Sequence, residues 1–519
     1  MNNYSEETIL YKTKYFKNIL LCLFIIFIAA CSSIDSSTGS YQSMKVYEKP
    51  IYSDVVKKSM EYEGIARNPV IVVHGFLGSK LDNIKTGKNV WGTFTGYEVI
   101  NGFSNTQLSN LKYPMIYDKP LNDIQDNVKA VKMLTKFNVK IMGMEFQINA
   151  YNKMLDILIN AGYIPENLVK EKGKKYATLF PFYYDWRRDN VENAVELHKY
   201  IMKKRKYMQK QYNKYYGISN YNVQFDVVSH SMGGLVSRYY LRYGNQEITE
   251  DKTPELNWAG SKYIDKLVII GTPNEGYLDT CFELTRGLKL DSGLPAYPPA
   301  VIGTWPSYYQ MMPFISTKSV MYKDDPKGKP VNLYDVEVWK NLKWGLADPD
   351  QDEVLKRILP NIKTSEERRK IALNHLGKCL RKARKFNNAM KLEGTPPDDV
   401  GLFLFLGDAV ETRREAVVDK KNGFLTVTKF DAGDGKILAS SARMDMREGE
   451  KWVPFLISPI KWQVVVHLKA AHMGITECYS FADNVTYYLL VTPTKKQLTS
   501  RKYVNHILKT EDRLLDKNK

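Results

Sequence analysis

The stretch "FDVVSHSMGGLVSRYYL", residues 225–241, constrains this chain more than any other. Phe225 to Val228 read as a buried strand. Ser229, His230 and Ser231 form a turn, and Leu235, Val236, Tyr239 and Tyr240 then recur at helical spacing after Gly233-Gly234. A strand that turns abruptly into a helix needs small side chains where the two elements nearly touch. Turns of the pattern G-x-S-x-G meet that need and expose their central serine at the end of a sheet. Here Ser229 replaces the first glycine, which leaves the turn feasible. Ser231 is therefore the candidate nucleophile.

The neighbouring sequence supplies the rest of such a sheet. "NPVIVVHGFLGSKL" (68–81) is an apolar strand ending in a glycine-rich turn, and "KYATLFPFYYDWR" (175–187) and "YIDKLVIIGTPNEG" (263–276) repeat the pattern. Continuous apolar runs of this length are what strands buried on both faces require. Helical periodicity separates them at 151–163 and 191–212. Strands alternating with helices imply right-handed crossovers and a mostly parallel sheet. The alternation stops near residue 285 and resumes with "VGLFLFLGD" (400–408), "FLTVTKF" (424–430) and "WQVVVHL" (462–468). Between them, 285–398 lacks a strand pattern. The expected architecture is thus α/β, with a mostly parallel central sheet and an inserted helical cap. Its core spans 65–284 and 399–494, its cap 285–398, and a basic tail occupies 495–519. Within the cap, 365–391 reads as a helix with one apolar and one basic face. It suits either an anionic membrane surface or packing on the protein with its charges solvated, and the second reading is favoured.

A serine hydroxyl attacks an ester only with a histidine base, itself oriented by a carboxylate, and with two N–H groups aimed at the developing oxyanion. The turn "HGFLGS" (74–79) offers the N–H of Phe76 or Leu77, to act with that of Met232. His74 beside it reads as structural. Of the seven histidines, His198 and His506 fall on surface helices, His375 in the cap, His230 in the turn itself and His467 inside a strand pattern. His472, in the loop "KAAHMGIT", is left as the base. For the acid, Asp434 in "AGDGKI" and Asp408 in "FLGDAVE" both follow apolar strands, and spacing alone does not choose between them. "DPDQDE" (348–353) starts like a calcium loop but lacks its glycine and its final glutamate, so no metal site is expected, nor any cofactor.

The N-terminus carries an address. Lys12, Lys14 and Lys17 precede an apolar run from Asn18 to Ala30, and the run ends in "IAAC". That is a secretory layout, and its end resembles the lipobox of bacterial lipoproteins, in which the cysteine, here Cys31, is exposed by cleavage and acylated. Residues 1–30 are then a signal peptide and 31–64 a polar tether. The simpler alternatives are an ordinary cleaved signal or an uncleaved anchor. Ser32 after the cysteine resembles outer-membrane sorting, so the expected location is an exported, membrane-anchored lipoprotein, held in the outer membrane if the cell has one. Cys281, Cys379 and Cys478 would remain, too few and too irregular for a disulfide framework. The net charge of +18 suits anionic lipid or an acidic polymer. Behind an export signal it does not point to nucleic acid.

Taken together, "NPVIVVHGFLGSKLDN", "FPFYYDWRRDN", "VVSHSMGGLVSRYYL", "VIIGTPNEG", "PSYYQMMP", "AGDGKILASSA" and "AAHMGIT" resemble, in order, the lecithin:cholesterol acyltransferase family. That family includes phospholipid:diacylglycerol acyltransferases and lysosomal phospholipase A, and the likeness, over about 68 to 480, is strongest to its bacterial members. The resemblance implies an α/β-hydrolase fold with a cap and a Ser–Asp–His triad that moves acyl chains from glycerolipids, and it selects Asp434, which matches the family's G-D-G. It also puts Trp91 near the site. Lys436-Ile437 stands where the family mostly has Thr-Val, and His74-Gly75 where eukaryotic members mostly have Pro-Gly. The expected partners are a lipid substrate and, through the anchor, a membrane surface.

Overall fold

Six apolar stretches form the centre of the molecule: β1 (Val70–Val73), β2 (Leu179–Phe182), β3 (Phe225–His230), β4 (Ile264–Ile270), β5 (Gly401–Gly407) and β6 (Val464–Leu468). The structure, a computed structural model, describes residues 52–95, 103–141, 144–149, 151–289, 296–447, 452–455 and 457–499. The signal segment, Cys31 and the tail beyond 499 lie outside the described residues. The sheet order is β6-β5-β4-β3-β1-β2 and every neighbouring pair is parallel. All residues of β1, β3, β4 and β5 are buried, as helices on both faces demand.

Three helices surround the serine turn or carry the basic charge: α1 (Asn190–Tyr216), α2 (Met232–Tyr243) and α3 (Ser365–Lys391). The 365–391 expectation matches α3 end for end. Its C-terminal carbonyls are capped from α2, the helix that leaves the serine turn. Tyr243 Oη donates to Ala389 O at 2.6 Å, Arg238 to Met390 O and Arg242 to Leu392 O. Last-turn carbonyls have no partners within their own helix and carry the negative end of its dipole. Those of Met390 and Leu392 therefore each take an Nη–H of a buried guanidinium group. Burial, with Arg242 alongside, pulls Arg238 down to about 9, still largely charged at neutral pH.

The basic face of α3 is largely spent on the protein. Lys378 Nζ donates to Ile116 O at 2.7 Å and Lys119 O at 2.8 Å, Lys382 Nζ pairs with Asp189 at 3.0 Å, and Arg368 pairs with Asp352. Asp352, one carboxylate of the calcium-like run, is thus committed to an arginine.

Two strand expectations need correction. "FLTVTKF" does not rejoin the central sheet. Leu425–Gly433 pairs antiparallel with Val410–Val418 in a separate three-stranded sheet. The segment 285–398 is not free of strands either, since Val320–Tyr322 pairs with that hairpin. The alternation of buried and exposed residues along 410–418 and 425–433 belongs to a half-exposed hairpin, unlike the uniform burial of β3 to β5. Cys281, Cys379 and Cys478 are all free thiols. Among the described residues, no helix is long and apolar enough to cross a membrane.

His375 on α3 gives a pH test of this packing. Its Nε2–H donates to Thr304 O at 2.9 Å, while Nδ1 has no partner among the described residues. Burial pulls its pKa down to about 4. Between about pH 6.5 and 4 the unfolded chain therefore binds a proton that the folded ring refuses. Stability is full above the unfolded pKa and falls as pH drops, by about 1.4 kcal/mol per unit from this ring. Asp226, which burial pushes up to about 7, works in the opposite direction, so the unaltered chain is paired with a variant. Thermal unfolding of His375→Gln, followed from about pH 7 to 4.5, is expected to be less acid-sensitive than that of the unaltered chain by one proton. Equal acid sensitivity would refute the assignment.

Candidate active site

The serine turn forms at the C-terminal end of β3. Ser231 has φ 54° and ψ −128°, a conformation that costs a non-glycine residue free energy and is held only by its surroundings. Here its N–H donates to Ile270 O at 2.8 Å, and its carbonyl accepts from Thr272 Oγ1 at 2.8 Å and Gly234 N at 2.9 Å. The strand and helix crowd as expected. A Cβ on Gly233 would lie 2.4 Å from His74 O and 2.6 Å from Val73 O. Ser229, in the first glycine's position, is fully buried and exchanges a hydrogen bond with Ser237 on α2 at 2.6 Å. Its hydroxyl thus tacks strand to helix.

Loops from β5 and β6 converge on Ser231. His472 Nε2 lies 3.0 Å from Ser231 Oγ, and His472 Nδ1 lies 2.7 Å from Asp434 Oδ2. Asp434 Oδ1 accepts the backbone N–H groups of Lys436 at 2.9 Å and Ile437 at 2.6 Å, and the Asp434 carbonyl accepts His472 N–H at 2.8 Å. The carboxylate is 1% and the imidazole 17% exposed. Asp408, the other candidate acid, pairs at 2.7 Å with His467, the strand histidine, on a partly exposed edge of the sheet.

The 74–79 turn lies against the serine. A Cβ on Gly75 would meet Ser231 Cβ at 2.7 Å. Leu77 has φ 64°, and among the described residues the Phe76 and Leu77 N–H groups donate to no protein acceptor. Met232 opens α2, where an N–H has no intrahelical acceptor. These are the three groups expected from the sequence. Trp91, near the site as the resemblance implied, donates Nε1–H to Leu77 O at 2.9 Å and braces the loop. Phe76 packs on Tyr308 and Trp186, with ring centroids 4.8 and 5.0 Å away.

Both neighbouring histidines are neutral supports. His74 bonds Gly75 O through Nδ1 at 2.7 Å and stacks on Tyr184, and burial pulls it down to about 3. His230 contacts Tyr151 Oη at 3.1 Å and the His472 carbonyl at 3.1 Å, and burial, with His472 beside it, also pulls it to about 3. Tyr151 is a residue that sequence reasoning misses. Its hydroxyl accepts Gly75 N–H at 2.7 Å, joining the 74–79 turn to His230. No sequence pattern marks it, because the contact spans 76 residues. Lys436 stands out in the sequence only as a departure from the family's Thr, and its contacts are long-range as well. Its Nζ reaches Asp279 at 3.1 Å and Glu283 at 3.5 Å, and Glu283 accepts from Tyr308 Oη. This links the Asp434 loop to the aromatic wall around Phe76. Among the described residues, no group of three or more His, Cys, Asp or Glu side chains is arranged to hold a metal.

An all-parallel sheet with helices on both faces and a serine turn at its C-terminal edge defines an α/β-hydrolase. Residues 109–366 match the model of the lecithin:cholesterol acyltransferase family. The chain is a lecithin:cholesterol acyltransferase-like α/β-hydrolase, in the class of ester hydrolases and acyltransferases. The matched range contains Ser231 but ends before Asp434 and His472. No curated protein matches the chain. Among solved structures, a chain of the Tle4–Tli4 complex aligns with 82% of this chain and 99% of its own length, at 13% identity and a TM-score of 0.51. That likeness shows the fold. The mature lipase BlEst2 of Bacillus licheniformis aligns with 83% of this chain and 94% of its own, at 11% identity and a TM-score of 0.27. Lipase 1 of Pelosinus fermentans aligns with 82% and 99%, at 13% identity and a TM-score of 0.26.

Proposed function

We propose that this protein is a serine-dependent lipid acyl hydrolase that cleaves glycerolipid or glycerophospholipid esters through an acyl-enzyme. The observation that carries the reading is the unbroken chain Asp434–His472–Ser231, with links of 2.7 and 3.0 Å. Ser231 Oγ attacks the ester carbonyl while His472 Nε2 takes its proton. Asp434 holds Nδ1–H, so that Nε2 is the bare nitrogen facing the serine, and stabilises the imidazolium. The N–H of Met232, with that of Phe76 or Leu77, receives the oxyanion. His472 then returns the proton to the departing alcohol, and water, activated by the same imidazole, frees the fatty acid. Segment 285–398 serves as a cap, placing Trp305 and Tyr308 against Phe76.

Transfer to a sterol or lipid alcohol uses the same residues and differs only in the acceptor that reaches the acyl-enzyme. The aromatic wall beside Phe76 favours it to the extent that it keeps water out. We place the protein outside the cytoplasm, cleaved before Cys31 and held to a membrane by acylation there, on the strength of its N-terminal sequence.

A fluorophosphonate probe is expected to label the unaltered chain and not Ser231→Ala. Labelling that persists in the variant rules out Ser231 as nucleophile. With radiolabelled phosphatidylcholine and a saturating sterol or diacylglycerol, release of free fatty acid alone supports hydrolysis, whereas a labelled sterol ester or triacylglycerol establishes transfer.

A further inference from the structure

The charge that the sequence placed on 365–391 has its unpaired counterpart on another helix. From Lys199 to Tyr216, α1 contains seven basic residues and no acidic one. Lys204 is buried against Glu166, and Arg205 is half-buried. Lys203, Lys206, Lys210 and Lys214 are all exposed. Spaced three or four residues apart, they share one face of the helix over about 16 Å. Among the described residues none of the four has an ion-pair partner, whereas Lys199, one turn earlier, is paired with Glu196 at 2.7 Å. Exposed Lys175 extends the row, its Nζ lying 5.3 Å from the Tyr216 ring centroid. Holding such a row of like charges together costs free energy unless something negative lies against it. On α3, by contrast, Lys378 and Lys382 are taken up by carbonyls and carboxylates.

The row ends against the segment that leads into β1. Tyr216 Oη, at the end of α1, donates to Glu63 O at 2.7 Å, and Glu63 also pairs with Lys174.

We propose that the exposed lysine face of α1 is a docking surface for a bilayer that carries anionic lipid. A row of exposed charges along the outside of one helix suits a planar field of negative headgroups rather than one bound molecule. Each lysine gains by approaching such a surface, and salt screens the gain. The surface lies apart from Ser231, and the proposal stands whether or not the triad is assigned correctly.

The test uses the full chain carrying Cys31→Ser, so that acylation does not mask the effect, and its fourfold variant with Lys203, Lys206, Lys210 and Lys214 changed to Gln. Flotation is measured with phosphatidylcholine vesicles and with vesicles containing about 30% phosphatidylglycerol. The parent should prefer the anionic vesicles, and about 0.5 M salt should abolish the preference. In the variant the partition coefficient on anionic vesicles should fall at least about tenfold, while its melting temperature and its turnover of a short soluble ester stay those of the parent. The proposal is overturned if the variant binds anionic vesicles as the parent does. It is equally overturned if the parent binds heparin but does not distinguish anionic from neutral vesicles, which would name an acidic polymer as the partner. Loss of soluble-ester turnover in both proteins would bear on the triad and leave the vesicle result standing.

Discussion

Replacing Asp434 by Asn is expected to lower kcat on a soluble ester by about 10⁴-fold, with little change in KM or melting temperature. The hydrogen bonds give the reason. Oδ1 of Asp434 already accepts two backbone N–H groups, from Lys436 and Ile437. An asparagine keeps its own oxygen there, because its NH₂ group would oppose two donors. The NH₂ then faces His472 Nδ1, which must accept. The proton of the neutral imidazole moves to Nε2, and the nitrogen that should take the Ser231 proton now carries one. Ser231→Ala should cost at least as much. Asp408→Asn is the control: its partner His467 lies on a partly exposed edge, and turnover should stay within about threefold. Comparable losses at 408 and 434, or a loss at 434 of less than tenfold, would rule out Asp434 as the acid.

The second large effect is on stability. Gly233→Ala should cost about 3–5 kcal/mol, read as a fall of several degrees in melting temperature and weak probe labelling. The added Cβ would meet the backbone carbonyls of Val73 and His74 at 2.6 and 2.4 Å. Both belong to β1 and its turn, so neither can move without opening the sheet beside the serine. Gly377→Ala on α3 provides the opposite sign. A Cβ there meets only Arg381 Nη1, at 3.3 Å, the far end of a flexible side chain. Relief of glycine's helix penalty should raise stability by about 0.5–1 kcal/mol. If both substitutions destabilise alike, close backbone approach is not what makes Gly233 necessary.

Much of the site was legible in the sequence because it rests on local chemistry. A turn that needs small residues, a strand buried on both faces and a helix with periodic apolar residues each leave a mark within about 15 residues. Hence Ser231, the 74–79 turn, α3 and the parallel core strands could be read directly, and His472 followed by excluding histidines tied to helices, to a strand or to the turn. Ser229 was legible as a small residue, but not as a hydroxyl tacked to Ser237.

What only the tertiary structure decided lies where chain distance carries no information. After β5 the chain leaves as a hairpin, 410–433, and returns so that Asp434 Cβ would stand 2.7 Å from a Cβ on Gly407. Asp434 therefore faces His472, while Asp408, one residue past that glycine, turns to the sheet edge and His467. Sequence spacing treats the two carboxylates alike, because closing a loop depends on where its ends pack and not on how many residues it holds. The same holds for the lysines. A basic helix reads the same whether its charges meet carbonyls or water, and only packing spends Lys378 and Lys382 of α3 and leaves Lys203, Lys206, Lys210 and Lys214 of α1 exposed.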